Sequence, residues 1–191
     1  MQKLIFTNEV ARELSGLIEA ANPHGVYVLA DSNTERLVWP ALVAACPSLG
    51  TAGLITIPAG DINKSLDSLS HIWSELQRMG ANRHSLMINV GGGMITDIGG
   101  FAASTFKRGM RFVNVPTTLL GAVDASVGGK TGINFGGLKN EIGAFREAEA
   151  VVISTAMFSS LPDSEMYSGY AEMIKHGLLE SEGALMALLA Y

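Results

Sequence analysis

Residues 86–106 read LMINVGGGMITDIGGFAASTF. Leu86 to Val90 is a short apolar run of the length expected for a buried strand. Gly91-Gly92-Gly93 follows at once, and Met94 to Phe106 continues at helical length, with Gly99-Gly100 permitting close backbone packing. A strand, a glycine turn and a helix form the repeating unit of a parallel sheet. The turn also has a chemical use, because main-chain N–H groups and a helix N-terminus offer partial positive charge to a pyrophosphate. The run is neither the spaced GxGxxG pattern nor a Walker A motif, so it is read with its surroundings. Asp97, in the first helical turn, is explained equally by the helix dipole and by a ligand.

The same alternation extends in both directions. Lys3 to Thr7 is predicted as an edge strand and Asn8 as the cap of a helix from Glu9 to Ala21. Val26 to Ala30 is a buried strand followed by a helix from Thr34 to about Ala45. Leu54 to Ile57 is a strand, and Lys64 to Met79 is an amphipathic helix. Phe112 to Val115 and Val151 to Ile153 complete the strands. Apolar strands alternating with helices predict an α/β fold, a Rossmann-like parallel sheet covered by helices on both faces. Ligands of such sheets bind beyond the carboxyl ends of the strands, where Asp31 to Asn33, Gly60 to Lys64 and Gly91 to Asp97 lie. Gly121 to Gly143 lacks a long regular pattern and is expected to be a ligand-facing loop system with short helical pieces. Leu161-Pro162-Asp163 is read as a boundary. Residues 1–160 are expected to form the α/β domain and 161–191 to begin a second, all-helical domain, with a helix over Ser164 to Leu179.

Bulk composition narrows the class. The chain has 191 residues, 48% hydrophobic and 16% charged, which suits a folded core. Its net charge of −5 argues against a nucleic-acid or anionic-membrane binder, since both need a broad basic footprint. Charge is nevertheless uneven. Lys107, Arg108, Arg111, Lys130, Lys139 and Arg146 face only Asp124 and Glu141 between positions 107 and 146, a local setting that favours a small anion. Cys46 is the single cysteine, which excludes an intrachain disulfide and suits a reducing, cytoplasmic location. No apolar run approaches the ~18 residues of a membrane span, and no signal peptide is apparent.

Several residues are candidates on chemistry alone. Asp31 and Asp61 follow strands and could accept from ribose hydroxyls; capping a turn is the alternative. Lys64 reads as a solvated helix lysine or a ligand contact. Thr117-Thr118, after Val115-Pro116, suits a base, a ribose or a helix cap. Lys107-Arg108, Lys130 and Lys139-Asn140 are candidate anion and hydroxyl binders, two of them preceded by glycine pairs that bring backbone close to a ligand. Glu172 and His176 stand at i and i+4, a spacing that can face one metal ion.

The stretches GGGMITDIGGFAASTFKRG (91–109), PTTLLGAVDASVGGKTGINFGGLKNEIGAF (116–145) and LPDSEMYSGYAEMIKHGL (161–178) resemble the N-terminal part of the 3-dehydroquinate synthase family, within the sugar-phosphate cyclases. DSNTE (31–35) and GDINK (60–64) match it more loosely. The resemblance implies NAD contacts at Asp31, Asn33, Asp61, Lys64, Gly91, Gly92, Gly93, Asp97, Thr117, Thr118 and Thr155, with Lys130 and Lys139 nearby. It implies substrate contacts at Asp124, Lys130, Lys139, Asn140 and Lys175, with Arg108 reaching a neighbouring subunit's phosphate pocket in a homodimer. Glu172 becomes a ligand of a divalent metal, zinc or cobalt; His176 is not a ligand in the family. Three departures stand out. Asp61 replaces a longer Glu, Ser154 stands where Asp is frequent, and Asp163-Ser164 replaces a basic run.

The implied reaction converts 3-deoxy-D-arabino-heptulosonate 7-phosphate to 3-dehydroquinate and phosphate in the shikimate pathway. It proceeds by transient oxidation with NAD, phosphate elimination, reduction and an intramolecular aldol. Alternatives are another sugar-phosphate cyclase of the deoxy-inosose or valiolone type, a metal-dependent polyol dehydrogenase, and a nucleotide-binding module without chemistry. The family's two histidine ligands have no counterpart here. These residues are therefore expected to be part of a chain about twice as long, binding NAD weakly and turning nothing over alone.

Overall fold

The structure is a computed structural model that describes residues 2–190. Six strands form one parallel sheet in the order β1-β8-β5-β4-β2-β3. They are β1 (Lys3–Phe6), β2 (Val26–Asp31), β3 (Gly53–Ile57), β4 (Leu86–Gly91), β5 (Arg111–Pro116) and β8 (Ala150–Ile153). The predicted α/β class and doubly covered sheet are what the structure has.

Each strand's alternating side chains feed two separate cores. On one face Val28, Ile88, Val90, Val113, Val115 and Val152 pack against helices α1 (Val10–Ala21) and α3 (Trp39–Ala45). On the other, Leu29, Ile57, Met87 and Phe112 pack against α4 (Leu66–Arg78) and α5 (Gly93–Thr105). The Gly99-Gly100 pair makes that second contact close. A Cβ on Gly99 would strike the Asn89 side chain, and one on Gly100 would come within 2.5 Å of Thr131.

Four local expectations are corrected. The helix from Thr34 to Ala45 is two, α2 (Ser32–Leu37) and α3, parted at Val38. Pro40 lacks an N–H and is tolerated only in the first turn of a new helix. Asn8 is not a cap; the helix begins after Glu9, whose N–H donates to the Thr7 hydroxyl at 2.9 Å. Lys64 precedes α4, which Ser65 caps by accepting from the Ser68 N–H.

The fourth correction concerns 121–143. Residues Gly121–Ala125 form a π-helical turn, and β6 (Lys130–Phe135) pairs antiparallel with β7 (Leu138–Phe145). Gly136 and Gly137, at φ 59° and 82°, make the tight connection; two successive positive φ values are the signature of a type I′ hairpin turn. Glycine-rich strands weaken the alternation by which a hairpin is recognised.

Beyond the sheet, α6 (Asp163–Glu180) and α7 (Glu182–Leu189) follow. Gly169 lets α6 lie against Leu119 and Leu120, because a Cβ there would collide with both. No helix of the described residues is long and apolar enough to cross a membrane.

Candidate functional site

The carboxyl ends of β2, β3, β4 and β5 open into a cleft of about 570 Å³, lined by Asp31, Asn33, Asp61, Gly92, Gly93, Thr117 and Thr118 among others. These residues come from four loops, and the parallel topology alone brings them together. Helix α5 enters with its N-terminus, and its cap Gly92 supplies no side-chain hydrogen bond. The first N–H groups of α5 therefore have no capping side chain. A Cβ on Gly92 would come within 2.9 Å of Thr118 and one on Gly93 within 3.0 Å of Ala125. The turn is thus a main-chain cradle with no room for side chains, and its donor set fits a pyrophosphate. Gly91 itself is buried beneath Ile95 and supports the turn from behind.

Asp31 caps the helix that follows it and also lines the cleft. One carboxylate oxygen accepts from the Asn33 and Thr34 N–H groups at 2.8 and 2.9 Å. Asp61 is half exposed and accepts from Lys139 Nζ at 2.9 Å. That hydrogen bond holds its carboxyl below the ordinary range.

A second cleft, about 460 Å³, is lined by Asp97, Asp124, Lys130, Thr131, Gly132, Asn140 and neighbouring residues of the hairpin. Lys64 joins the two regions. Far from being solvated, it is 3% exposed, and its ammonium ion-pairs with Asp97 and donates to Asn140 Oδ1. Burial holds the Asp97 carboxyl above its ordinary value, against the pull of Lys64. A buried ammonium keeps its charge only with such partners.

Asp124, on the π-turn, faces α6. His176 Nε2 lies 3.6 Å from Asp124 Oδ1 and 3.4 Å from Glu172 Oε1. The ligand atoms of Asp124, Glu172 and His176 all lie within 4.8 Å of one another. Carboxylate and imidazole donors at this spacing fit a divalent cation such as zinc. The i, i+4 pairing of Glu172 with His176 read from the sequence is therefore realised in space. Lys175 ion-pairs with Glu172, and that carboxylate holds the ammonium's pKa above its ordinary value.

Lys64, Gly91, Lys139, Glu172 and Lys175, described above, line neither cleft, and two further candidates, Thr155 and Arg108, also stand outside both. Thr155 opens a 3-10 turn that Ser154 caps by accepting from the Ala156 N–H at 3.3 Å. Arg108 follows the far end of α5 at φ 68°, exposed and one helix length from Gly93.

Other residues carry the site without having been singled out. Asn89 and Asn114 are directly opposed on β4 and β5. Asn89 donates to Asn114 Oδ1 at 2.9 Å, and Asn114 donates to the Ser126 carbonyl at 3.2 Å. This buried relay pins the π-turn that carries Asp124 to the sheet. The signal was an Asn at the same register in two apolar strands. Asn134, on the hairpin, had no signal of that kind.

The family model for the 3-dehydroquinate synthase N-terminal region matches residues 54–168. The 3-dehydroquinate synthase of Parabacteroides distasonis is 47% identical over 180 residues, covering 94% of this chain and 51% of that protein. That of Thermococcus kodakarensis is 46% identical over 167 residues, 87% of this chain and 48% of its own length. The chain spans about half the length of the curated relatives it matches. Among solved structures, 2-epi-5-epi-valiolone synthase from Streptomyces hygroscopicus, with NAD+ and Zn2+ bound, superposes at TM-score 0.80 with 26% identity. That match covers 92% of this chain and 49% of the other. A 2-deoxy-scyllo-inosose synthase superposes at 0.83 with 24% identity, covering 92% and 50%, a likeness of fold.

Proposed function

Because this chain belongs to the 3-dehydroquinate synthase family, we propose that it binds NAD in the strand-end cleft and a sugar phosphate in the hairpin cleft. It does so for the conversion of 3-deoxy-D-arabino-heptulosonate 7-phosphate to 3-dehydroquinate and phosphate. The observation that supports this reading most is the division of labour between the clefts. Asp31, Asn33, Asp61, Gly92, Gly93, Thr117 and Thr118, expected at NAD, line one. Asp124, Lys130 and Asn140, expected at substrate, line the other beside Asp97. Lys64, whose N–H donates to the Asp61 carbonyl, ties the Asp61 loop to that second wall through Asp97 and Asn140.

NAD accepts and returns a hydride when bound, and a divalent metal polarises the substrate hydroxyls. The protein's own residues do the rest. The α5 N-terminus and Gly92-Gly93 hold the pyrophosphate; Asp31 and Asp61 accept from ribose hydroxyls; Thr117 and Thr118 flank the cofactor. Lys130 and Lys139 are flexible point charges suited to carboxylate and phosphate. Asn140 and Asp124 orient hydroxyls, and Lys175 adds a cation from α6. Holding the reacting groups in one geometry is the main catalytic gain available to such a site. Glu172, with Asp124 and His176 beside it, would hold the metal.

Residues 161–191 are the first helices of a metal-binding domain in this reading. The assembly is a homodimer, in which Arg108, remote from its own clefts, serves the partner's phosphate pocket.

Incubating the protein with NAD+, Zn2+ and the heptulosonate phosphate tests the reading. Phosphate release without net NADH is expected where these residues stand within a chain of the relatives' full length, and none from residues 1–191 alone. Accumulation of NADH would instead mark a polyol dehydrogenase and overturn the assignment.

A further inference from the structure

The hairpin carries an irregularity whose consequence extends to both clefts. The β6–β7 register shifts between Ile133 and Phe135. Asn134 is thereby released from the ladder, and a bulge of this kind re-aims a side chain. Its N–H donates to the Lys64 carbonyl at 2.8 Å. Its Oδ1 accepts the Asn140 N–H at 3.0 Å. Its Nδ2 lies 3.2 Å from the Asp61 carbonyl and 3.4 Å from the Asp61 carboxylate.

Asn140 in turn accepts from the Lys64 ammonium. Lys64, Asn134 and Asn140 therefore close a ring of three hydrogen bonds, running from carbonyl to side chain to ammonium. Asn140 occupies the left-handed region, φ 55°, which asparagine enters more readily than other non-glycine residues, and there its N–H meets the Asn134 carboxamide.

We propose that Asn134 is a positioning residue that couples the clefts. It fixes Asn140 on the hairpin side against Asp61 and Lys64 on the strand-end side. A ligand that settles Asp61 thereby sets the hairpin wall of the second cleft. The proposal rests on the cofactor reading above only for the identity of that ligand.

Amide exchange and 15N spectra of the protein and of Asn134→Ala and Asn134→Asp test it. Without ligand, the Asn140 amide exchanges roughly tenfold faster in Asn134→Ala, the scale of one lost hydrogen bond. In Asn134→Asp it stays slow, because a carboxylate still accepts. On titration with NAD+, the amides of Gly92 and Gly93 move in all three proteins. That of Asn140 follows in the parent alone, since neither variant donates to Asp61, whereas that of Lys139, whose ammonium pairs with Asp61 directly, moves in all three. Unchanged exchange in Asn134→Ala, or an Asn140 shift that persists there with NAD+, overturns the proposal. If NAD+ moves no amide at Gly92 and Gly93 in the parent, the cofactor reading fails, and the exchange comparison still decides what Asn134 does.

Discussion

The two clefts are built from different materials. Main chain dominates the strand-end cleft: a glycine cradle, an uncapped helix N-terminus and the ends of four parallel strands. Its shape follows from topology and survives without any particular side-chain pairing. Side chains dominate the hairpin cleft, on a two-stranded ribbon whose second strand is largely exposed. A ribbon of that size is marginal by itself. It buries Ile133 in the core of the α5 face and turns Asn134, Asn140 and Lys139 back to the Asp61–Lys64 segment. The first cleft follows from the sheet topology; the second also needs its side-chain ties to the Asp61–Lys64 segment.

The tie breaks most severely at Lys64. Lys64→Met leaves the Asp97 carboxyl buried without its cation, and losing one partner of a buried pair costs about 3–5 kcal/mol. The pH dependence has a definite sign. Burial raises the folded value of Asp97 above its unfolded one, so the native state binds more protons between the two. Stability then falls as pH rises through that window. Without the ammonium the window extends upward, and the variant regains part of the loss on acidification. Denaturant unfolding across a pH series measures this, and a variant as stable as the parent at neutral pH would contradict the bridge.

Gly92→Ala acts on the other cleft. The added Cβ meets Thr118 at 2.9 Å and crowds the cradle, so NAD+ affinity should fall roughly tenfold, ~1.4 kcal/mol. The hairpin amides should keep their positions. Titration calorimetry and a 15N spectrum together separate loss of the cradle from loss of the fold.

The smallest effect belongs to the exposed pair Lys139 and Asp61. Lys139 lowers the Asp61 carboxyl. That contribution is fully present above the unfolded value and is lost as pH falls through the lower folded value. Lys139→Met should return the Asp61 titration toward its ordinary range, as followed by carboxyl NMR, with little change in global stability.

The same contrast explains what could be read in advance. Apolar strands, short connections and Gly91-Gly92-Gly93 announce the sheet and its cradle, because backbone geometry is written locally in the residue pattern. The break at Val38 was missed because the apolar spacing continues across it, although Pro40 was a visible cue. The hairpin was missed because its glycines dilute the alternation that marks strands. Lys64 looked like any helix lysine. Only the meeting of β3, α5 and β7 buries it, and that meeting joins residues 33 and 76 positions away. Asn134 is harder still, since its role depends on a two-residue register shift within the hairpin.

A 15N-labelled sample titrated first with NAD+ and then with inorganic phosphate tests the division into two clefts most directly. The account predicts that NAD+ moves Gly92, Gly93, Thr117 and Thr118, together with Lys139 and Asn140 through their ties to Asp61 and Lys64, and leaves Lys130 and Gly132 in place until phosphate is added. It would be contradicted if NAD+ left the strand-end amides unmoved, or if both ligands moved one and the same set.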